Sequence, residues 1–309
     1  MTPGAASGGG TAAAATVPAA ALSLLLAVLL AGCTSSDGGE GPPSAAASAP
    51  ADRPSGAASP TGQGSPATAE EGRPAVEVPQ APPRRACYRL GYAQVTEPTN
   101  QSASVPCGSR HTAQTFFVGR IDAVVDGHLV AVDSRLVEKQ LATTCPQRLN
   151  AYVGGTVEDR ALSRFEVAWF GPTLEQSDLG ASWFRCDLVA LSADGRLAPL
   201  PPPGQLRNVL DREGALDNWG LCGTAAPGTR GFGRVLCARR HNWQAIATIP
   251  LSGRGYPGAA AVRRAGDDIC RDTVHSASGS PERFKYGWEW PTREQWSQGQ
   301  RYGFCWAPD

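Results

Sequence analysis

The sequence predicts an α+β fold in which two tandem copies of one disulfide-bonded module, each with small antiparallel sheets, follow a disordered N-terminal tether. Residues 172–186 and 291–306 carry Pro, Thr, Glu, Gln, Gly and Cys at the same spacing, and matched positions lie 119 residues apart (172 to 291, 186 to 305). Eight cysteines recur in the same order, four in each copy. Such internal similarity indicates a duplicated structural unit.

The N-terminal residues predict export and lipid anchoring. Residues 19–30 form an apolar run that suits a signal peptide and is short for a bilayer span. The run ends in Leu-Ala-Gly-Cys at residues 30–33, which resembles the bacterial lipobox, so we expect residues 1–32 to be removed and Cys33 to be lipidated on its thiol. Signal peptides usually have Lys or Arg before the apolar run, and none precedes it here. An uncleaved weak anchor is the alternative.

Residues 33–83 predict a disordered tether. Ala, Gly, Pro, Ser and Thr dominate this stretch, which has no aromatic residue to build a core. About 50 such residues would hold the folded region on the order of 50–150 Å from the membrane. We therefore expect an extracytoplasmic protein that is anchored by Cys33 to the outer face of the cell membrane.

Charge and residue usage exclude several partner classes. The whole chain has 28 Lys and Arg and 28 Asp and Glu, a balance that does not indicate nucleic-acid binding. Four histidines and no C-x-x-C pair argue against a zinc site. We expect no metal, no other cofactor and no nucleic-acid partner.

The elements follow the same order in both copies. In copy one, residues 84–197, we predict strands over 115–125, 165–169 and 183–191, a helix over 134–153 that Pro146 kinks or restarts, and a helical turn after Pro172. In copy two, residues 205–309, we predict strands over 245–249 and 284–290 and an amphipathic helix over 258–276. The proline-rich residues 199–204 predict a stiff spacer between the copies.

An even set of cysteines behind an export signal predicts a disulfide framework. Equivalent pairing in the two copies leaves three connectivities for each copy. We favour pairing first with second and third with fourth: Cys87 with Cys107, Cys145 with Cys186, Cys222 with Cys237, and Cys270 with Cys305.

Several motifs together resemble the septum formation-related domain of actinobacterial envelope proteins. They are V-P-C-x3-H-T-A-Q at residues 105–114, V-L-C-x3-H at 235–241, Y-V-G-G at 152–155, and the two P-T-x-E-Q closures. The resemblance covers residues 87–306, one domain in each copy. It implies a link to septum formation or envelope growth and brings no established chemistry with it.

Two groups of residues are candidates for a binding site. His111 and His241 recur four positions after a cysteine, which suits either a ligand site or a structural hydrogen bond. Trp243, Trp290 and Trp296 have no aromatic equivalent in copy one, so they are candidates for a platform that binds sugar or peptide, with core filling as the alternative.

These observations predict a membrane lipoprotein that acts as a non-catalytic binding or scaffold component of the cell envelope. Its expected partners are the membrane, through the lipid, and a cell-wall or envelope protein; the oligomeric state stays open. One alternative is an envelope hydrolase that uses His111 or His241 with a glutamate. Another is a small-ligand-binding lipoprotein with a large pocket between the copies.

Overall fold

The computed structural model describes residues 77–279 and 282–309; the predicted signal peptide, Cys33 and most of the tether lie outside these residues. The strands are β1 Cys87–Tyr88, β2 Ala113–Arg120, β3 Val124–Val125, β4 His128–Leu129, β5 Phe165–Phe170, β6 Trp183–Ala193, β7 Arg196–Leu197, β8 Leu221–Gly223, β9 Arg234–Leu236, β10 Trp243–Pro250, β11 Gly287–Glu289 and β12 Tyr302–Pro308. The helices are α1 Tyr92–Val95, α2 Arg135–Val153, α3 Val157–Leu162, α4 Leu174–Asp178, α5 Ala215–Trp219, α6 Ala259–Ala277 and α7 Arg293–Ser297, with a 3-10 turn at Val209–Asp211.

Each half of the described chain is built around one long strand. In the first half, residues 84–197, β6 lies between β2 and β5, and β1 pairs with β2. In the second half, residues 205–309, β12 lies between β10 and β11, and β8 pairs with β10. All of these pairings are antiparallel, so the mixed helix-and-strand fold that the sequence predicts is confirmed.

The register of the strands is the same in both halves. Cys186 lies opposite Phe117 and Trp169, and Cys305 lies opposite Ala247 and Trp288. The β2–β6 pair has a bulge between residues 115 and 117, and the β10–β12 pair has one between residues 245 and 247. The cysteine therefore projects from the same point of each sheet.

The long helices cover one face of each sheet. The side chain of Ser134 caps α2 by accepting a hydrogen bond from the Val137 amide, and the buried residues of α2 recur every four positions. They are Val137, Leu141, Cys145, Leu149 and Val153. Pro146 lies inside α2, which continues through it, so of the two expected effects of this proline the structure does not form the restart.

Four disulfides connect these elements. They join Cys87 with Cys107, Cys145 with Cys186, Cys222 with Cys237, and Cys270 with Cys305, which is the pairing that the cysteine order favours. The second and fourth pin α2 and α6 to the central strands β6 and β12. All eight sulfurs of the described chain are thus used in structural bonds.

The P-T-x-E-Q stretches begin the short helices α4 and α7. Thr173 and Thr292 cap these helices, and the side-chain oxygens of Gln176 and Gln295 accept a hydrogen bond from the amide of the cap residue. The glutamate of each motif stands in the first turn, where the helix dipole favours a negative charge. The motif is therefore a helix start in both halves.

The two halves are less independent than the sequence predicts. The end of β6 pairs with β9 at Ala193 and Val235, so the strands of both halves join in one ten-stranded sheet rather than separate small sheets. The expected spacer is also packed: Leu200 is buried, and its amide donates to the His111 carbonyl. Apolar side chains in the proline-rich segment explain this, because they add to the core instead of staying in water.

Candidate functional site

A groove of about 630 Å³ lies in the first half. Its apolar wall consists of Val137 and Leu141 from α2, Val167 and Trp169 from β5, and Pro172. The loop at residues 95–99 and Leu174, which begins α4, close the opposite side. This volume is within the range of ligand-binding clefts. The groove lies within the first half. Two smaller pockets, of about 430 and 350 Å³, are lined by residues of both halves, among them Ser192 and Arg239, which is where the small-ligand alternative expects a pocket.

One difference between the halves accounts for the groove. Trp288 of β11 packs beneath α6, where a Cβ atom on Gly266 would overlap three atoms of the indole ring. The helix position that matches Gly266 relative to the disulfide is Leu141 in α2. Because a leucine fills that space, Trp169, the counterpart of Trp288, stays half-buried and lines the groove instead. The indole of Trp288 thus fills, in the second half, the space that corresponds to the groove of the first half.

Gly266→Leu should therefore destabilise the protein by about 2–3 kcal/mol, because the new side chain must displace the buried indole of Trp288. Urea unfolding followed by tryptophan fluorescence measures the effect. Ala261→Leu, at a more exposed position of the same helix, is the control and should change stability by less than about 0.5 kcal/mol. Equal effects of the two substitutions would contradict the packing explanation.

The rim of the groove is negatively charged. Glu97, Asp133 and Glu138 line it and are exposed, and no Arg or Lys stands among the lining residues of this part of the described chain. Leu174 is 55% exposed at the rim although it is a large apolar residue. The groove thus combines an apolar wall with a carboxylate rim.

A buried ion pair lies on the opposite face of the same sheet. Arg185 and Asp187 of β6 are 1% and 0% exposed, and Arg185 Nε stands 3.3 Å from Asp187 Oδ2. Thr115 Oγ1 donates to Asp187 Oδ1 at 2.6 Å, and Arg185 Nη2 donates to Asn100 Oδ1 at 3.1 Å. The guanidinium also lies over the Tyr88 ring, 3.9 Å from its centre. This network is enclosed by protein, so it is a structural element of the first half.

Burial raises the pKa of Asp187 from 3.8 to about 6, because desolvation outweighs the attraction of Arg185 and the hydrogen bond from Thr115. The folded state then binds this proton more tightly than the unfolded state. The resulting stabilisation is complete below pH 3.8 and is lost as the pH rises through about 6.

Between pH 4 and pH 7 the free energy of unfolding of the wild type should therefore fall by roughly 3 kcal/mol more than that of Asp187→Asn, which cannot titrate at this position. Urea unfolding of both proteins across this pH range measures the difference. Parallel pH profiles for the two proteins would show that Asp187 does not titrate with a raised pKa.

Both candidate histidines make a structural hydrogen bond to the carbonyl two residues earlier. His111 Nδ1 contacts Ser109 O at 2.8 Å, and His241 Nδ1 contacts Arg239 O at 2.6 Å. The other nitrogen of His111 accepts from the Gln114 amide at 2.8 Å, so its proton resides on Nδ1. His111 is 1% exposed, whereas His241 is half-buried beside Asp309. The two rings are not exposed together beside a carboxylate in a cleft, the arrangement that would favour the hydrolase alternative.

The three candidate tryptophans do not form an exposed platform. Trp296 is 2% exposed and packs in the core with Trp288 and Tyr256, which corrects its assignment to a binding surface. Trp243 is half-buried against a different core cluster, and Trp290 is half-buried beneath Arg263. Large aromatic side chains stabilise a small core most when their rings are buried, which is the role that Trp296 takes.

The comparison with protein families gives one match. The model of the family described as septum formation matches residues 86–305, which is most of the chain and includes both halves. The chain belongs to the septum formation family. The match is a single span, so a separate family domain in each half stays a prediction. Neither curated proteins nor solved structures gave a significant match.

Two searches of the described residues bear on chemistry and location. No cluster of three or more His, Cys, Asp or Glu residues suited to a metal ion occurs in residues 77–279 and 282–309. Within the same ranges no helix is both long enough and apolar enough to cross a bilayer. The disulfides and the family membership are consistent with an extracytoplasmic location.

The groove and the ion pair are the features of this family member that sequence reasoning missed. Aligning the two halves position by position indicates both the groove and the ion pair. In such an alignment Leu141 corresponds to Gly266, Arg185 corresponds to Phe304, and Asp187 corresponds to Trp306. Positions where the two halves differ in side-chain size or charge mark where each half has its own packing.

Proposed function

We propose that this protein is a lipid-anchored binding component of the cell envelope that acts in septum formation without catalysing a reaction. The family supports the link to septation. The groove of the first half is the single observation that carries the binding role, because it offers an apolar wall and a charged rim to a partner. The disulfides suit a domain that works in an oxidising compartment.

The groove is tested by complementation. Leu174→Arg/Glu138→Arg places in the groove the residue types that the second half has at the matching positions, Arg293 and Arg263. Both positions are exposed, so the fold should tolerate the change. In a strain that lacks the gene and shows a septation defect, the wild type should restore septation and this variant should not.

The control is the opposite exchange in the second half, Arg293→Leu/Arg263→Glu, which should complement like the wild type. Full complementation by the groove variant at wild-type abundance would overturn the binding role of the groove.

Lipid anchoring at Cys33 is the second part of the proposal. Cys33 ends the lipobox-like residues 30–33, so its thiol is the expected acceptor of the lipid. Cys33→Ser should abolish incorporation of labelled fatty acid, because the variant lacks the thiol that would carry the lipid. The membrane-bound fraction should fall at least tenfold, because the buried acyl chains supply the membrane affinity. Membrane fractionation measures this. Unchanged labelling of the variant would contradict lipidation at Cys33.

We also propose that the two halves arose by duplication of one module. The supporting observations are the shared order strand–helix–strand–helix–strand (β2 to β6 without β3, β4 and α3, and β10 to β12), the matching register around Cys186 and Cys305, and the bulge at the same place in β2 and β10. In this proposal the halves share a scaffold, and the first half carries the binding groove.

A further inference from the structure

We propose that the edge of β5 and the N-terminal half of α2 form a docking site for an extended segment of a partner protein, which adds to the sheet as a strand. The segment would have apolar residues at alternate positions and Lys or Arg at its ends. This inference rests on the proposed binding function and specifies how the groove would use it.

The backbone of β5 has one bonded side and one open side. β5 pairs with β6 alone in the main sheet. The Leu191 amide donates to the Arg164 carbonyl, whereas the Gly171 amide turns away from β6 and donates to the Pro98 carbonyl. Because bonded and non-bonded pairs alternate along an antiparallel ladder, the amides and carbonyls of Val167 and Trp169 point away from β6. In the described residues no backbone hydrogen bond to another segment occupies these two positions.

The open stretch has defined ends. A parallel bridge joins Thr99 to Gly171 at one end, and an antiparallel bridge joins Ser163 to Gly220 at the other. Between them, the side chains of Val167 and Trp169 project into the groove beside α2. A strand edge next to a helix groove is the arrangement in which an added strand gains both backbone hydrogen bonds and side-chain pockets.

The groove selects the chemistry of the added strand. Every second side chain of a strand points to the same face, so alternate residues would enter the apolar groove against Val137 and Leu141. The exposed carboxylates of Glu97, Asp133 and Glu138 favour Lys or Arg on the same segment.

The chain's own tether is a poorer occupant by charge. Residues 70–77 contain three glutamates and one arginine, and residues 74–83 contain four prolines, each of which lacks an amide to donate. A separate protein with basic residues fits the rim better.

The second half offers an internal comparison. There the tryptophan that matches Trp169 is buried under its helix, and the residues that match Glu138 and Leu174 are Arg263 and Arg293. The strand β11 is also shorter than β5, with three residues against six. The docking site that we infer therefore belongs to the first half alone.

The test uses the purified full-length protein and fluorescein-labelled octapeptides. The probe alternates Val and Thr between Lys residues at both ends (the Val–Lys peptide), and its control has Glu in place of the Lys residues (the Val–Glu peptide). A third peptide repeats the Val–Lys sequence with N-methyl groups on the amides that would bond to β5, which leaves the protein unchanged. Val167→Pro removes the outward amide of β5 without removing a bond to β6. Fluorescence anisotropy gives the affinities, and amide hydrogen exchange gives the site.

We expect the Val–Lys peptide to bind and to protect the amides of Val167 and Trp169. The Val–Glu peptide should bind at least tenfold more weakly, because the rim repels it. The N-methylated peptide and Val167→Pro should each weaken binding about fivefold to tenfold, through the loss of backbone hydrogen bonds. Absence of Val–Lys binding, equal binding of the Val–Glu or N-methylated peptide, or protection elsewhere would overturn the inference. Complementation by the groove variants is measured separately, so a failure of strand addition can be told apart from a failure of the binding function.

Discussion

Arg185→Met should destabilise the protein by about 3–5 kcal/mol at pH 7, because it leaves the carboxylate of Asp187 buried without its counter-charge. The variant also lacks the contacts that the guanidinium of Arg185 makes with the rings of Tyr88 and Phe170. Thr115 still donates to Asp187, but one neutral hydrogen bond does not replace an ion pair in a site that excludes water. Urea unfolding at pH 7 measures the loss.

The double variant Arg185→Met/Asp187→Leu is the informative control. Buried ion pairs are often no more stabilising than apolar side chains of similar volume, so the double variant should recover most of the loss. The second half has Phe304 and Trp306 at the matching positions of β12, both buried, so this scaffold already accommodates apolar residues there. A double variant as unstable as Arg185→Met would show that packing, rather than the unpaired charge, causes the loss.

Cys145→Ala/Cys186→Ala should destabilise the protein by about 4 kcal/mol. This disulfide closes a loop with a sequence separation of 41 residues, and constraining a loop of that length in the unfolded chain accounts for that amount. Both sulfurs are fully buried between α2 and β6, so their removal also leaves a small cavity. Thermal or urea unfolding under non-reducing conditions measures the effect.

The matched control is Cys222→Ala/Cys237→Ala. Its loop has a sequence separation of 15 residues, for which the same relation gives about 3 kcal/mol. We therefore expect the first double variant to be the less stable by about 1 kcal/mol. The reverse order of stabilities would contradict the loop-length account.

The features that the sequence predicts well are those with local or repeated signals. The helices α2 and α6 follow from apolar residues at helical spacing, and α4 and α7 follow from capping motifs. The repeated cysteine order reduced the disulfide alternatives to a few. The alternation of large apolar residues at positions 165, 167 and 169 likewise indicates β5.

The features that the sequence did not predict depend on contacts between distant residues. Whether Trp296 is buried or exposed depends on Tyr256 and Trp288 around it. Whether residues 199–204 are a spacer depends on the cluster that receives Leu200. The groove likewise depends on which side chain occupies the space beneath each helix, Leu141 in one half and Trp288 in the other.

The halves therefore share a scaffold and differ in what they carry. The first half has the groove, the open edge of β5 and a buried ionic network. The second half has an apolar core in place of that network, and Trp288 and Trp296 fill the space beneath its helix. A hydrogen bond also joins the two halves, because the Thr248 amide of β10 donates to the carboxylate of Glu158 in α3 at 2.7 Å. We interpret the second half as the support of the first.

The central claim is that the groove of the first half binds a partner at the envelope. In-cell photocrosslinking tests it directly, with a photoreactive amino acid in place of Leu174 in one protein and of Ile269 in another. The two positions are matched, since Leu174 is 55% exposed at the groove and Ile269 is 53% exposed on α6. We expect a discrete crosslinked partner from position 174 that Glu138→Arg abolishes, and none from position 269. The same adducts from both positions, or none from position 174 in cells that septate normally, would contradict the claim.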